Sequence, residues 1–235
     1  MFATVTLQDW ENLVKKQLKT DDIYAILSKE NLEGITVKPY YDKSPENLKN
    51  LPKVEESTHL VAKYQEGLEE DAYAFLLNNN VEKLYDKTIF VANEDLAGHI
   101  TLSEENRYFS LIDVFVNNEI NSQLAEELLS ENFERNICVD ASLYQNAGAS
   151  ITQQLTFSLG KAKDLAEIFG AEILNKLVFK FAICANYFFE IAKIRAFKML
   201  FNQFSKEFNL DLIPYIFAET SLRNKAKNDE ENNLI

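Results

Sequence analysis

Hydrophobic and polar positions follow their clearest pattern between residues 136 and 221, where short apolar runs alternate with longer amphipathic stretches. The apolar runs, each of strand length, cover 137–144, 177–183 and 212–218. Between them, 150–169 and 187–208 repeat apolar residues at three- and four-residue spacing, which is typical of a helix with one buried face. The order strand, helix, strand, helix, strand predicts a parallel sheet and an α/β fold.

Local signals support the ends of both helices. Ser150 and Gln153 have the spacing of a capping box, and Gly170 can end the first helix. Asn186 is a candidate N-cap for the second helix. The solvent face of the second helix is predicted to carry Glu190, Lys193, Lys198, Asn202 and Lys206.

Upstream of residue 136 the pattern is less regular. Residues 7–30 have apolar positions at helical spacing, whereas 31–51 contain Gly34 and several prolines and are expected to be extended and irregular. Four short strands are predicted at 59–64, 72–77, 88–92 and 108–116, followed by a helix at 121–133. Counted from the first of these, seven strands precede Ser221.

Several stretches resemble a known family. Residues 144–149 read YQNAGA, 181–196 contain FA, NYF, EIAK and RA, and 218–225 contain TS and NK in the same order. They resemble the barrel domain of methylmalonyl-CoA mutases, and among its relatives most closely the small (beta) subunit of the heterodimeric bacterial enzymes. Near the N-terminus, Trp10 and EGITVKPYY at 33–41 resemble the arm that opens these chains.

The resemblance implies an α/β fold with an incomplete (β/α)8 TIM-type barrel of about seven strands at 56–235, after a helical and extended arm at 1–55 that wraps a partner. The end of the barrel and a cobalamin-type domain are expected to be absent. The implied function is that of a non-catalytic small subunit. Its heterodimer partner, the large subunit, would bind adenosylcobalamin and interconvert methylmalonyl-CoA and succinyl-CoA, so that the complex is an isomerase.

A barrel of parallel strands has its site at the strand C-terminal ends, here 143–146, 185–186 and 217–221. By the resemblance, catalytic subunits carry a histidine after the fifth strand and another at the end of the seventh, where this chain has Leu143 and Phe217. An imidazole can donate a hydrogen bond to a thioester carbonyl, whereas leucine and phenylalanine cannot. No catalytic or cofactor-binding residue is therefore predicted in this chain.

Other candidate groups offer little chemistry. Neither His59 nor His99 lies in the Asp-x-His-x-x-Gly loop that holds the corrin in this family, or beside other residues at metal-ligand spacing, so no metal site is predicted. Cys138 and Cys184 are expected to be reduced core residues. The charged residues that interrupt apolar strands are Asp140 and Lys180. They are interpreted as a structural ion pair or as charges at a wet strand end, and a catalytic role is a hypothesis.

Composition limits the classes of partner that this chain is expected to bind. The chain has 24 basic and 37 acidic residues and a formal net charge of −13, which argues against nucleic acid and anionic membranes as partners. It contains no apolar run long enough for a membrane span. Residues 1–4 lack the pattern of a signal peptide, so the expected compartment is the cytoplasm.

Some alternatives stay open. The chain could belong to a related acyl-CoA mutase that is active in its own right, or it could be an unrelated α/β binding domain. Tyr40 and Tyr41 fit either a surface loop or a strap on a partner subunit, and with Trp10 they are expected to be among the most exposed aromatic residues. The acidic residues at 228–235 fit a solvated tail, whereas the resemblance implies that the family's chain continues into more barrel.

Overall fold

The computed structural model describes residues 5–41, 51–52, 57–77, 79–81 and 84–226. The predictions for residues 1–4 and for the tail at 228–235 lie outside these ranges. The chain divides into two compact units, 1–50 and 51–235. The predicted domain boundary at residue 55 stays a prediction. No helix in the described ranges is both long enough and apolar enough to cross a bilayer.

The described part of the first unit, residues 5–41, contains two helices and a hairpin. Its elements are α1 (Leu7–Leu18), α2 (Ile23–Leu27), β1 (Lys29–Glu30) and β2 (Thr36–Val37), with β1 and β2 antiparallel. The prediction of a single helix at 7–30 is wrong, because Lys19 adopts a left-handed conformation with φ of 53° and ends α1. The Asp22 side chain then accepts a hydrogen bond from Ala25 N and starts α2.

The hairpin replaces the irregular segment expected after residue 31. The Asn31 side chain accepts hydrogen bonds from the backbone of Glu33 and Ile35, and Gly34 turns the chain with φ of 70°. Tyr40 and Tyr41 are exposed, as predicted. The prediction for Trp10 is wrong: it is half-buried because its ring stacks on that of Tyr40, with centroids 5.3 Å apart.

The second unit contains two parallel sheets and their covering helices. Its first part consists of β3 (Val61–Lys63), β4 (Ala74–Leu77), β5 (Thr88–Val91), α3 (Glu94–Ala97), β6 (Arg107–Ser110), β7 (Phe115–Val116), β8 (Glu119–Ile120) and α4 (Ser122–Ser130). Its second part consists of β9 (Ile137–Asp140), α5 (Ser142–Ala147), α6 (Ile151–Phe169), β10 (Leu177–Ile183), α7 (Tyr187–Lys206) and β11 (Tyr215–Thr220). One sheet has the order β3-β4-β5-β6, the other β9-β10-β11, and all neighbours in both are parallel.

Backbone hydrogen bonds join the two parallel sheets. Ser110 N donates to Arg135 O at 2.9 Å, and Cys138 N donates to Ile112 O at 2.9 Å. Two parallel bridges accompany these bonds. They join β6 and the segment after it to β9 and the segment before it. The seven parallel strands of the described chain therefore form one series, β3-β4-β5-β6-β9-β10-β11.

This series of strands is strongly curved. Neighbouring strands lie about 4.8 Å apart, so β5 and β11, four positions apart, would be separated by about 19 Å in a flat sheet. Instead, the rings of Phe90 in β5 and Phe217 in β11 have centroids 5.0 Å apart, and those of Phe109 in β6 and Tyr215 in β11 are 4.6 Å apart. The strands thus enclose an apolar interior that includes Cys138 of β9.

The outer face of the second sheet is covered by helices. Phe179 and Phe181 of β10 pack edge-on against Phe197 of α7, with centroids 4.7 and 4.8 Å apart, and Phe179 also contacts Phe201. The capping box of Ser150 begins α6 as predicted. Gly170, with φ of 88°, follows its last residue.

Three predicted strands have different ends because of specific residues. The run 137–144 stops being a strand after Asp140, whose Oδ1 accepts hydrogen bonds from Ser142 N and Oγ at 2.9 and 2.5 Å and starts α5. The run 108–116 breaks after Ser110, and a hairpin turn with positive φ at Asn117 and Asn118 follows. The run 212–218 begins late, because Pro214 lacks the N–H that a ladder needs.

The parallel α/β class predicted from the sequence is confirmed, with seven parallel strands in the described residues. Closure of these strands into a complete barrel is not part of the described structure. The curvature and the helices on the outer face are compatible with a TIM-like arrangement.

The packing predicts different effects for two phenylalanines of α7. Replacing the fully buried Phe197 by alanine should lower the free energy of unfolding by about 3–5 kcal/mol, since the cavity lies against both Phe179 and Phe181. Phe188→Ala is the matched control, because this side chain is 78% exposed. Urea denaturation followed by circular dichroism measures both, and equal losses would contradict the packing described here.

Candidate functional site

The C-terminal ends of β9, β10 and β11 form the strand edge on which the sequence placed the candidate site. Lys180 of β10 pairs with Asp140 of β9, and Ile183 of β10 pairs with Thr220 of β11. The segments that follow the three strands therefore lie side by side. We call this region the strand-end edge.

Amide, hydroxyl and thiol groups of the strand-end edge bond to one another. Asn146 Oδ1 accepts hydrogen bonds from Ser221 Oγ at 3.1 Å and from the backbone N of Leu222 at 3.0 Å. Cys184 Sγ donates to Asn224 Oδ1 at 3.3 Å. The structure thus brings together two of the three predicted site segments, 143–146 and 217–221, and it ties residue 184 to the turn at 222–224. Asn186 begins α7 without a side-chain cap bond.

A row of charges crosses the three strands just inside this edge. Lys180 Nζ lies 3.1 Å from Asp140 Oδ2 and 3.4 Å from Glu219 Oε1. Burial lowers the pKa of Lys180, but the charge of Asp140, the hydrogen bond to it and the charge of Glu219 outweigh burial, and the net shift is upward. The ammonium therefore stays charged and paired, which fits the structural interpretation of these residues.

A second ion pair adjoins the first. Lys161 of α6 lies 2.6 Å from Asp113 Oδ2, and the same oxygen accepts a hydrogen bond from Asp140 N at 3.0 Å. The Lys161 ammonium also lies over the ring of Phe115, 4.6 Å from its centroid. No sequence signal revealed this pair, because its members are 48 residues apart.

A buried polar cluster lies beneath the edge. Lys193 Nζ donates hydrogen bonds to Ala182 O at 2.7 Å and to Gln154 Oε1 at 3.3 Å, and it forms an ion pair with Glu190 Oε2 at 2.5 Å. Gln154 Nε2 in turn donates to Ala149 O and to the side chain of Gln145. The cluster connects the end of β10 with α5, α6 and α7.

This cluster overturns a prediction about α7. Glu190 and Lys193 were assigned to the solvent face, yet they are 5% and 1% exposed. Their positions continue the buried stripe of the helix, which goes on through Phe197, Phe201 and Ser205 at four-residue spacing. That spacing is visible in the sequence, where helical periodicity predicts the buried stripe even at charged positions.

The two positions that the resemblance aligns with histidines differ in their surroundings. Leu143 lies on α5, not at a strand end, and is 59% exposed. Phe217 lies within β11 and faces the interior against Phe90. Cys138 is buried in the same interior, and burial raises the pKa of its thiol well above the usual value, with Asp140 and Asp113 adding to the shift. Cys138 and Cys184 are both free, and Cys184 lies half-buried just beyond β10.

The described residues do not fit a corrin or metal site. Among them, no group of three His, Cys, Asp or Glu side chains is placed to hold a metal ion. His59 shares a hydrogen bond with Ser57 Oγ at 3.2 Å, and its ring lies 4.4 Å from that of Tyr73. No glycine stands three residues after His59 or His99, where the corrin-binding loop would require one.

The fold and site define a parallel α/β protein with a strand-end edge whose polar groups pair with one another. Comparison with known proteins gives this region a family relationship. Residues 129–235, which include β9, β10 and β11, match the methylmalonyl-CoA mutase family. The chain is also 32% identical over 101 residues to the methylmalonyl-CoA mutase of Rhizobium meliloti (strain 1021).

The similarity is partial in both directions. The aligned stretch covers 39% of this chain and 14% of the Rhizobium protein. The family match at 129–235 covers the segment in which the sequence resemblance was found.

The buried cluster predicts that the stability of the fold depends strongly on Lys193. Lys193→Met should lower the free energy of unfolding by about 3–5 kcal/mol, because it leaves the Glu190 carboxylate buried without its cation. The double variant Glu190→Leu/Lys193→Met should recover part of that loss. Thermal and urea denaturation measure both.

Lys163→Met on α6 is the control, since Lys163 forms an ion pair with Glu167 in which both side chains are exposed. It should change stability little. If Lys193→Met unfolds no more easily than this control, the cluster does not support the edge.

Proposed function

We propose that this chain is the arm and part of the barrel of a non-catalytic small subunit of an adenosylcobalamin-dependent methylmalonyl-CoA mutase. One observation carries the proposal. In the segment that matches the mutase family, polar groups at the strand ends bond to one another, and Leu143 and Phe217 stand at the positions that the resemblance aligns with histidines. The large subunit would interconvert methylmalonyl-CoA and succinyl-CoA, and this chain would support it.

The curved strand series supports the barrel part of the proposal. Seven parallel strands, of which the third and fourth approach the last across an apolar interior, are what an incomplete (β/α)8 barrel would present. Barrel interiors of this kind are filled by side chains from alternate strands. Here rings from the neighbouring strands β5 and β6 and from β11 fill the interior, and Phe90 contacts the rings of Phe109, Tyr215 and Phe217.

The same packing argues against catalysis by this chain. Rings fill the interior, so a substrate would have to bind at the strand-end edge. There, Asn146 and Ser221 bond to each other, and Lys180 is held between two carboxylates. A site that stabilises a polar transition state needs donors preorganised toward the substrate, whereas Ser221 and Lys180 donate to acceptors of the protein itself.

The first unit supports a role in contacting a partner subunit. The amphipathic helix α1 contains no buried residue, and Leu13 and Leu18 are exposed. The hairpin adds Leu32 and Ile35, which are also exposed. Apolar side chains of this size are stabilised when a second surface covers them. The arm would therefore bind the large subunit.

The proposal predicts that the purified chain, supplied with adenosylcobalamin, forms no succinyl-CoA from methylmalonyl-CoA. Leu143→His should not change this. The exposed position 143 tolerates the substitution, but one imidazole does not supply a binding site for the radical-generating cofactor. Chromatographic analysis of the acyl-CoA products measures the outcome.

The positive control is the same assay with the large subunit co-expressed, which should be active with either form of this chain. Cofactor-dependent turnover by the chain purified free of any large subunit would overturn the non-catalytic assignment. It would favour the alternative of a mutase that is active in its own right.

A further inference from the structure

The strand-end edge carries large apolar side chains that the core does not use. Five such side chains lie in the segments after β9, β10 and β11, and each is 43–78% exposed: Leu143, Tyr187, Phe188, Ile191 and Leu222. We call these five residues the apolar edge. Single exposed apolar residues are common on protein surfaces, whereas a group on one edge indicates an interaction site.

The five residues belong to one surface because the segments that carry them are bonded together. Leu143 is one helical turn before Asn146, whose side chain accepts the backbone N–H of Leu222. The segment after β10 is tied to the same turn by the bond from Cys184 to Asn224. Tyr187 and Phe188, which begin α7, contact each other edge-on at 5.4 Å.

The exposed residues of α7 lie on a different face from its core residues. Phe188, Ile191 and Arg195 follow one another at three- and four-residue spacing, so they form one exposed stripe. The buried stripe of the same helix contains Phe197 and Phe201. Within the described residues, the core of this unit therefore does not use Phe188 and Ile191 of the outer stripe.

Cationic side chains border the apolar edge. Arg195 is one turn beyond Ile191, Arg223 directly follows Leu222, and Lys225 lies two residues further; all three are exposed. In a chain with a net charge of −13, this concentration of positive charge is distinctive. Arginine and tyrosine are enriched among the residues that contribute most to protein interfaces.

We propose that the apolar edge is a docking surface for the partner subunit, through a patch that is apolar in its centre and acidic at its rim. It rests on the proposed function for the existence of that partner and adds where and how the partner binds. A second copy of this chain is the alternative occupant that the test below distinguishes. A membrane is disfavoured by the overall acidic charge.

Binding of the purified full chain to the large subunit, measured by biolayer interferometry, tests the proposal. Phe188→Glu should weaken binding by about tenfold or more, as is typical for the loss of an aromatic interface residue. Arg195→Glu should also weaken it and should reduce its dependence on salt. Ile168→Glu is the matched control. Ile168 is exposed at the C-terminal end of α6, away from the strand-end edge, so this substitution should leave binding unchanged.

Each outcome separates the two proposals. If the wild-type chain binds the large subunit and Phe188→Glu binds equally well, the docking surface is overturned and the proposed function stands. If the wild-type chain does not bind, both are overturned. Self-association, or sedimentation with phosphatidylserine vesicles, that depends on Phe188 would assign the edge to a second copy or to a membrane and overturn the docking proposal. Thermal denaturation establishes that the variants are folded.

Discussion

The burial of β10 on both faces is the constraint on which the rest of the second unit depends. Its outer face packs Phe179 and Phe181 against the rings of α7. Its inner face places Val178 in the interior formed with Phe90, Phe109 and Cys138. A strand with two apolar faces requires a helix layer on one side and a curved sheet on the other. That curvature brings β5 and β6 to β11, and the parallel connections then bring the three strand ends together.

The strand ends show what this convergence does to polar groups. Lys180 is held between Asp140 and Glu219, Asn146 accepts from Ser221, and Lys193 is enclosed by acceptors beneath them. Buried charges and amides are costly unless they are paired, and here the pairing partners come from the protein itself. The apolar side chains left outside this network remain exposed. An edge with these properties is better suited to protein contact than to catalysis, which is why the proposed function and the proposed docking surface share one physical basis.

Periodicity and local chemistry predicted much of the second sheet. The capping box at Ser150, the stop at Gly170 and the order of β9, β10 and β11 are in the sequence because they depend on residues close in the chain. The resemblance to methylmalonyl-CoA mutases fell on the segment that the family comparison also matches. Long-range pairs such as Asp113 with Lys161 left no local trace. Charge predicts a solvent-facing Lys193, whereas the helical spacing places it in the buried stripe, where the structure has it.

The central claim is that the paired polar groups of the strand-end edge, Asn146, Ser221 and Lys180, do not bind an acyl-CoA ester. Calorimetric titration of succinyl-CoA into the purified chain tests it most directly. The account predicts no saturable binding up to about 1 mM, the upper end of ordinary KM values. Saturable binding that is lost in an Asn146→Ala variant would contradict it, because it would show that the edge opens to a substrate.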